Sequence, residues 1–251
     1  MKIYGLIPAR SGSKGVPDKN IKLLKGYPLL AYSIIASKLC HNINKTYVST
    51  DSYEYAQIAD KFNIDDCIRR PEYLCKDNST DLDYLLHFIY VENIKPEDII
   101  VLLRPTTPLR DIDILEKTIE CFINSNTPRT SLRSVHKLNE SPEKMFKPIP
   151  CKKGDQLYIE SYMNIDSETA DLPRQHFDIC YQPNGYIDIL TVKNILINKD
   201  TYGDNIMGLE TKRVTEIDSI DDFEYLEYEI NKNDNKLYTY IKEHYEPETN
   251  N

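Results

Sequence analysis

Residues 7–20, IPARSGSKGVPDKN, gather Arg10, Lys14 and Lys19 around Gly12 and Gly15, directly behind the apolar run KIYGLI at 2–7. That run reads as a buried strand, and a loop leaving the carboxyl end of such a strand lies at the edge where α/β sheets bind ligands. Gly12 and Gly15 have no Cβ, so backbone N–H groups there can approach a ligand closely and converge on an anion. With three cations beside them, they describe a cradle for a group carrying several negative charges. The Walker pattern is not matched, because Lys14 precedes the second glycine. GSKG also fits the GXXG loop of KH domains, but that loop joins two helices, whereas this one follows a strand between Pro8 and Pro17. The plainest alternative is a glycine-rich turn with solvated lysines.

A second group of residues suited to chemistry lies near the other end of the chain. Glu216 and Asp218 stand two apart in KRVTEID, 212–218, a segment that reads as a strand and would place both carboxylates on one face. Such carboxylates suit a divalent cation; helix capping is the other use open to Asp218. The five histidines form no constellation, and none is assigned a role.

The 251 residues carry a net charge of -9, so a general affinity for nucleic acid, which needs a broad basic face, is not expected. The charge is uneven. Lys2, Arg10, Lys14, Lys19, Lys22 and Lys25 face only Asp18 in the first 25 residues, while acids dominate from Glu216 onward. A basic start and an acidic end suit an anionic ligand and a cation in one site. Six cysteines show no C-x-x-C pair and no secretory segment opens the chain, so reduced thiols in the cytoplasm are expected. The longest apolar run, IIVLL at 99–103, falls far short of the about 18 residues a membrane helix needs.

Short β-rich runs alternate with helical periodicity. Strands are expected at 2–7, 45–51, 65–68 and 98–103, with helices at 28–40, 53–62, 80–92 and 111–124. This alternation predicts an α/β fold with a mainly parallel, doubly wound sheet. Residues from about 127 to 184 are irregular apart from a strand at 130–136, and read as an excursion that closes over the site or makes a subunit contact. Strands at 186–190 and 212–218 then return. A final helix follows, with Ile220, Phe223, Leu226 and Ile230 at helical spacing and Ser219 and Asp222 placed as a capping box. A single folded domain over 1–251 is expected, the last few residues excepted.

IPARSGSKGVPDKN resembles the opening signature of the CMP-acylneuraminate synthetase family, the cytidylyltransferases that activate sialic and related acidic sugars. VSTD (48–51), RRPEYLCKDNST (69–80), LLRPTTPLR (102–110), LPRQ (172–175), PNGYI (183–187) and TEIDSIDDFEYLE (215–227) match family segments in order. The resemblance implies a Rossmann-like nucleotidyltransferase fold with an inserted dimerisation or lid excursion. It also implies attack by the anomeric hydroxyl of a 2-keto acid sugar on the α-phosphate of CTP. Arg10, Lys14 and Lys19 would hold the triphosphate and stabilise the leaving pyrophosphate. Gly12, Ser13, Asn20, Arg70, Asp77 and Thr80 would contact the nucleotide, Asn20 pairing with cytosine. Arg104, Thr106, Thr107, Arg110, Lys144, Arg174, Gln175 and Asn184 would contact the sugar, and Asp218 with Glu216 would hold Mg²⁺ or Mn²⁺. A homodimer is implied, with Lys144 and Arg174 able to serve the neighbour's site. The chain departs from the sialate pattern at Arg104, where a glutamine is usual, at Gln182, where an arginine precedes PNG, and at Asp188, where tyrosine is frequent. Those departures leave the acceptor open among sialic, legionaminic, pseudaminic and other acidic sugars. A relative using another nucleotide or a sugar phosphate, and a non-catalytic nucleotide-binding protein, are the competing readings.

Overall fold

The computed structural model describes residues 1–149 and 157–248, so Cys151 and the last three residues lie outside the described residues. β1 (Ile3–Pro8) is the strand expected at 2–7, and its alternation sets the architecture: Ile3 and Ile7 enter the core on one side of the sheet, Tyr4 and Leu6 the core on the other. After the cradle loop come the short β2 (Leu23–Leu24) and β3 (Tyr27–Pro28), then α1 (Leu29–Leu39). Pro28 stands at the helix start, where a missing N–H costs nothing. Helix α1 is buried from Leu29 through Ser37, because the sheet lies on one side of it and other helices on the other.

β4 (Lys45–Thr50), α2 (Tyr53–Asp60), β5 (Asp66–Arg69), α3 (Asp81–Val91), β6 (Ile99–Leu102) and α4 (Ile112–Ile123) continue the alternation. β7 (Ser131–Lys137) precedes the irregular stretch, which holds β8 (Phe146–Ile149), β9 (Tyr158–Ser161) and the one-turn α5 (Ser167–Ala170). The chain returns through β10 (Tyr181–Thr191), α6 (Val192–Asn198), β11 (Ile206–Glu210), α7 (Ile220–Lys232) and α8 (Lys236–His244). The main sheet has the order β11-β7-β10-β6-β1-β4-β5, with β10 antiparallel to both its neighbours and the remaining pairs parallel. Side chains of α1, α2, α4, α7 and α8 fill one core, and those of α3 and α6 fill the other. The expected doubly wound α/β sheet is the fold.

Three expectations need correction. The 212–218 segment is not a strand: it follows β11 as irregular chain, tied to the sheet through Ile217 N–H, which donates to Thr106 O at 2.9 Å. The irregular stretch is narrower than 127–184, since β7 and most of β10 pair in the main sheet and the chain leaves it only between Lys137 and Tyr181. Helix α7, with the expected Ser219–Asp222 capping box, is followed by α8.

Candidate active site

The cradle loop is held by contacts that leave its cations at the rim. Ala9 N–H continues the β-pairing to Ser49 O (2.9 Å), and both the N–H and the hydroxyl of Ser11 donate to Asp51 at the end of β4, at 2.8 and 2.7 Å. Burial would raise the Asp51 pKa, but these Ser11 hydrogen bonds hold it below the ordinary value, so the carboxylate stays a fixed acceptor. Gly12 has φ +70°, a conformation a side chain would strain. Asn20 is buried and donates through Nδ2 to Arg10 O at 2.9 Å, closing the loop on itself. In this structure it props the cradle, and its carboxamide also forms part of the cleft wall.

Arg10 donates through Nη1 to Cys75 O (2.9 Å), and Asp77 lies 2.5 Å from Lys14 Nζ and 3.4 Å from Arg10 Nη2. The hydrogen bond from Lys14 holds the Asp77 carboxyl below its usual range. Asp77 therefore balances cradle charge. Across the cleft, Lys19 Nζ donates to Ile217 O at 2.6 Å and to Asp218 Oδ1 at 3.3 Å, joining positions 198 and 199 residues apart in sequence. A Cβ added to Gly15 would lie 2.6 Å from Asp218 O. The second glycine thus serves backbone-to-backbone contact with the Asp218 segment.

Arg10, Ser13, Lys14 and Lys19 line one cleft of about 350 Å³ with Asp218. Arg70, Thr80, Arg104 and Thr106 form its remaining walls among the expected residues, with Lys76 from the Arg70–Thr80 segment, and Asp81 and Tyr84 join them from α3. Arg70 is buried on Ser49, donating to its hydroxyl (3.2 Å) and carbonyl (3.1 Å), with its guanidinium 4.5 Å from the Tyr84 ring centroid. A second groove of about 970 Å³ shares Asp218 and contains Glu216, Asn184 and Gln182. Glu216 Oε1 accepts from Thr106 Oγ1 at 3.3 Å, so both carboxylates stand near the junction of the two spaces although their segment is irregular.

Other expected residues lie elsewhere. Arg110 is 2% exposed and spends its donors on Tyr186 O (2.7 Å), Ser33 Oγ (2.9 Å) and Arg104 O (2.8 Å). Burial pushes its pKa down to about 9, which leaves it cationic at neutral pH, and its role is to tie α1 and β10 to the loop behind Arg104 rather than to touch a sugar. Thr107 is buried and donates to Asn184 O at 3.4 Å, while Asn184 Nδ2 donates to Thr211 Oγ1 at 2.7 Å. Arg174 and Gln175 border a separate cavity with Phe177, and Lys144 Nζ lies 5.7 Å from the Phe177 ring centroid. Asp51 closes the VSTD segment (48–51) but the sequence assigns it no role of its own, and Asp81 and Tyr84 lie in no local motif.

A divalent cation is compatible with these donors. Asp218 is 81% exposed on its side chain and faces the cations that would hold phosphates, and Mg²⁺ is commonly bound by one or two carboxylates plus phosphate oxygens. Among the described residues no cluster of three or more protein ligands forms a self-sufficient metal cage.

An anion cradle at the carboxyl edge of β1, faced by an exposed carboxylate, defines a nucleotidyltransferase of the Rossmann-like class. The sequence profile of the family described as Cytidylyltransferase matches residues 4–201, and the chain belongs to that family. It is 31% identical over 229 residues to the CMP-N,N'-diacetyllegionaminic acid synthase of Legionella pneumophila, covering 88% of this chain and 91% of that one. It is 29% identical over 225 residues to the N-acylneuraminate cytidylyltransferase of Escherichia coli, covering 89% of this chain but only 51% of that longer protein. Among solved structures, a CMP:2-keto-3-deoxy-manno-octonic acid synthetase complexed with CTP superposes with a TM-score of 0.65 at 16% identity, covering 92% and 99% of the two chains. That likeness supports the fold.

Gly15→Ala is expected to push the Asp218 backbone away from Lys19. Turnover should fall by about tenfold or more and the melting temperature by roughly 2–12 °C, since overpacking costs about 1–3 kcal/mol and each kcal/mol is worth about 2–4 °C in a chain of this size. Steady-state rates and thermal melts of the variant check this.

Proposed function

We propose that the protein transfers CMP from CTP to the anomeric hydroxyl of an acidic 2-keto sugar, a nonulosonate such as an N-acylneuraminate or a legionaminate, with release of pyrophosphate. The observation that carries the reading is the convergence of Arg10, Lys14, Lys19 and Asp218 on one cleft. Simple nucleotide binding has no need of a carboxylate opposite the phosphate cations.

Phosphoryl transfer asks the protein mainly to position reactants and neutralise developing charge. Arg10 and Lys14 exchange Asp77 for phosphate oxygens, and Lys19 stands between the phosphates and Asp218. As the sugar oxygen bonds to the α-phosphorus, the bond to the β-phosphate oxygen breaks, and these cations stabilise the leaving pyrophosphate. Asp218, with Glu216 behind it, would hold Mg²⁺ or Mn²⁺. When bound, that ion supplies further neutralisation of the phosphate oxygens. The Arg70–Thr80 segment forms the wall for base and ribose.

The working unit is a homodimer in this reading. Phe146, Ile159, Tyr162, Met163 and Ile179 are exposed on the stretch between β7 and β10, an apolar surface of the kind that protein contacts cover. Arg174 and Lys144 lie outside the main cleft of their own chain, which favours action in a neighbouring one. No described helix is long and apolar enough to cross a membrane, and catalysis in the cytoplasm is part of the same proposal.

Pyrophosphate release measured with CTP, UTP, GTP and ATP against a panel of acidic sugars should show turnover with CTP and a nonulosonate. Asp218→Asn should cut that turnover by about a hundredfold and shift its Mg²⁺ dependence to higher concentration. Release with another nucleotide alone, or an Asp218→Asn enzyme with an unchanged magnesium profile, contradicts the assignment. For the dimer, mixing inactive Arg10→Ala and Arg174→Ala proteins under subunit exchange should restore part of the activity, and a lack of complementation places Arg174 in its own chain's site.

A further inference from the structure

One wall of the cleft carries a cluster of charges that the phosphate cradle does not use. Arg104, two residues beyond β6, donates through Nη1 to Asp188 on β10 and through Nη2 to Asp81, the first residue of α3. Asp188 is 1% exposed, and Arg133 Nε and the Tyr202 hydroxyl approach it at 3.4 Å each. Arg133 in turn lies over the Tyr202 ring, 3.9 Å from its centroid. Two cations and two carboxylates sum to zero, and a buried carboxylate with this many donors is locked in place.

Arg104 is therefore not a free cation. Each terminal nitrogen is spent on an anion, and offering either to a substrate carboxylate would strand Asp188 or Asp81. What the cluster does is hold Asp81 on the cleft wall, where its side chain remains 37% exposed. Beside it, Tyr84 is 5% exposed and also lines the cleft, yet its hydroxyl has no hydrogen-bond partner. Burial and the neighbouring Asp81 raise the phenol pKa well above the usual value, so the hydroxyl stays protonated and can both donate and accept. A buried hydroxyl turned toward the partly exposed Asp81 carboxylate, without a hydrogen bond of good geometry to it, leaves hydrogen-bonding capacity open at the cleft wall.

The sheet indicates which substrate completes it. Arg104 follows β6 and Asp188 lies on β10, on one side of β1, whereas Asp51 follows β4 and Arg70, Asp77 and Asp81 follow β5 on the other. Asp81, one residue after Thr80 at the end of the nucleotide wall, is thus tied by Arg104 to the side of the cleft where Thr106 and Glu216 stand. A carboxylate accepts hydrogen bonds and repels anions.

We propose that Asp81, with Tyr84 beside it and Arg104 as its positioning residue, determines acceptor specificity. It accepts a hydrogen bond from an uncharged N–H or O–H substituent of the acidic sugar, an acylamino or hydroxyl group, and turns the sugar's own carboxylate away. This rests on the CMP-transfer reading above.

Initial rates with CTP and sets of acidic 2-keto sugars that differ at one position, bearing an acylamino group, a hydroxyl or hydrogen there, test it in the full-length protein. Wild type should prefer the donor-bearing sugar over its deoxy counterpart by about tenfold or more in kcat/KM. In Asp81→Ala that preference should collapse to within about threefold, through KM for the sugar, with KM for CTP within about twofold of wild type. Arg104→Lys keeps the charge balance but loses the fork, and should weaken the same preference without moving the CTP constant. Should Asp81→Ala not fold, judged by circular dichroism, Asp81→Leu, which also lacks an acceptor, is read in the same way. A preference that survives in these variants overturns the inference, as does a rise in KM for CTP matching that for the sugar, which assigns Asp81 to the ribose. An enzyme that turns over no acidic sugar overturns the CMP-transfer reading and this inference together; normal turnover with undiminished preference overturns the inference alone.

Discussion

The site depends on keeping three cations close together before any phosphate is present to neutralise them. Like charges a few ångströms apart repel, and the chain meets the difficulty with acceptors rather than distance. Asp77 lies on Arg10 and Lys14, while the carbonyl of Ile217 and the carboxylate of Asp218 take Lys19. These acceptors come from segments far apart in sequence, so charge balance in the cradle is also what joins the loop after β1 to the segment before α7. Both carboxylates on the cradle are more than half exposed and can give way to a more highly charged ligand, since exposed pairs are worth only about 0–1 kcal/mol.

Beneath the rim, the fold supplies rigidity where the rim needs movement. A Cβ on Gly5 would clash with Ser37 Oγ, so β1 and α1 pack closely at this glycine, and Ser37 Oγ is itself 2.8 Å from Thr46 Oγ1 of β4. Arg110 does similar work on the other flank, binding carbonyls of the loop after β6 and of β10 from a fully buried position. Buried and committed groups thus form the floor, and exposed, exchangeable pairs form the mouth.

How much of this could be read from sequence follows from how local each signal is. The strand at 3–8 and the glycine-flanked cations behind it announce themselves within 20 residues, and so does the capping box at Ser219 and Asp222. KRVTEID carries the β-branched Val214, Thr215 and Ile217 of a strand, yet its Ile217 N–H goes to Thr106 in the loop after β6 and not to a strand, and nothing in the segment itself discloses that. Residues 206–210 form an edge strand that sequence reading passed over, since Gly208 weakens the β pattern at its centre. Arg110 reads as a ligand because an arginine in a loop near a sheet edge usually faces outward; its burial is a property of the elements that close over it. Asp51 and Asp188 are visible as single positions, one closing VSTD and the other standing where tyrosine is frequent, but their partners, like that of Asp81, lie 40, 84 and 23 residues away, a spacing that carries no motif.

The central claim is that a triphosphate gripped by the β1 loop is bridged by a cation to Asp218. Diffraction from crystals soaked with Mn²⁺ and a non-hydrolysable CTP analogue, recorded at the manganese absorption edge, measures this directly. The account predicts an anomalous peak within coordination distance of Asp218 and of the analogue's phosphate oxygens, with Asp77 displaced from Lys14. A nucleotide seated away from Arg10 and Lys14, or manganese bound with Asp218 still on Lys19, would contradict it.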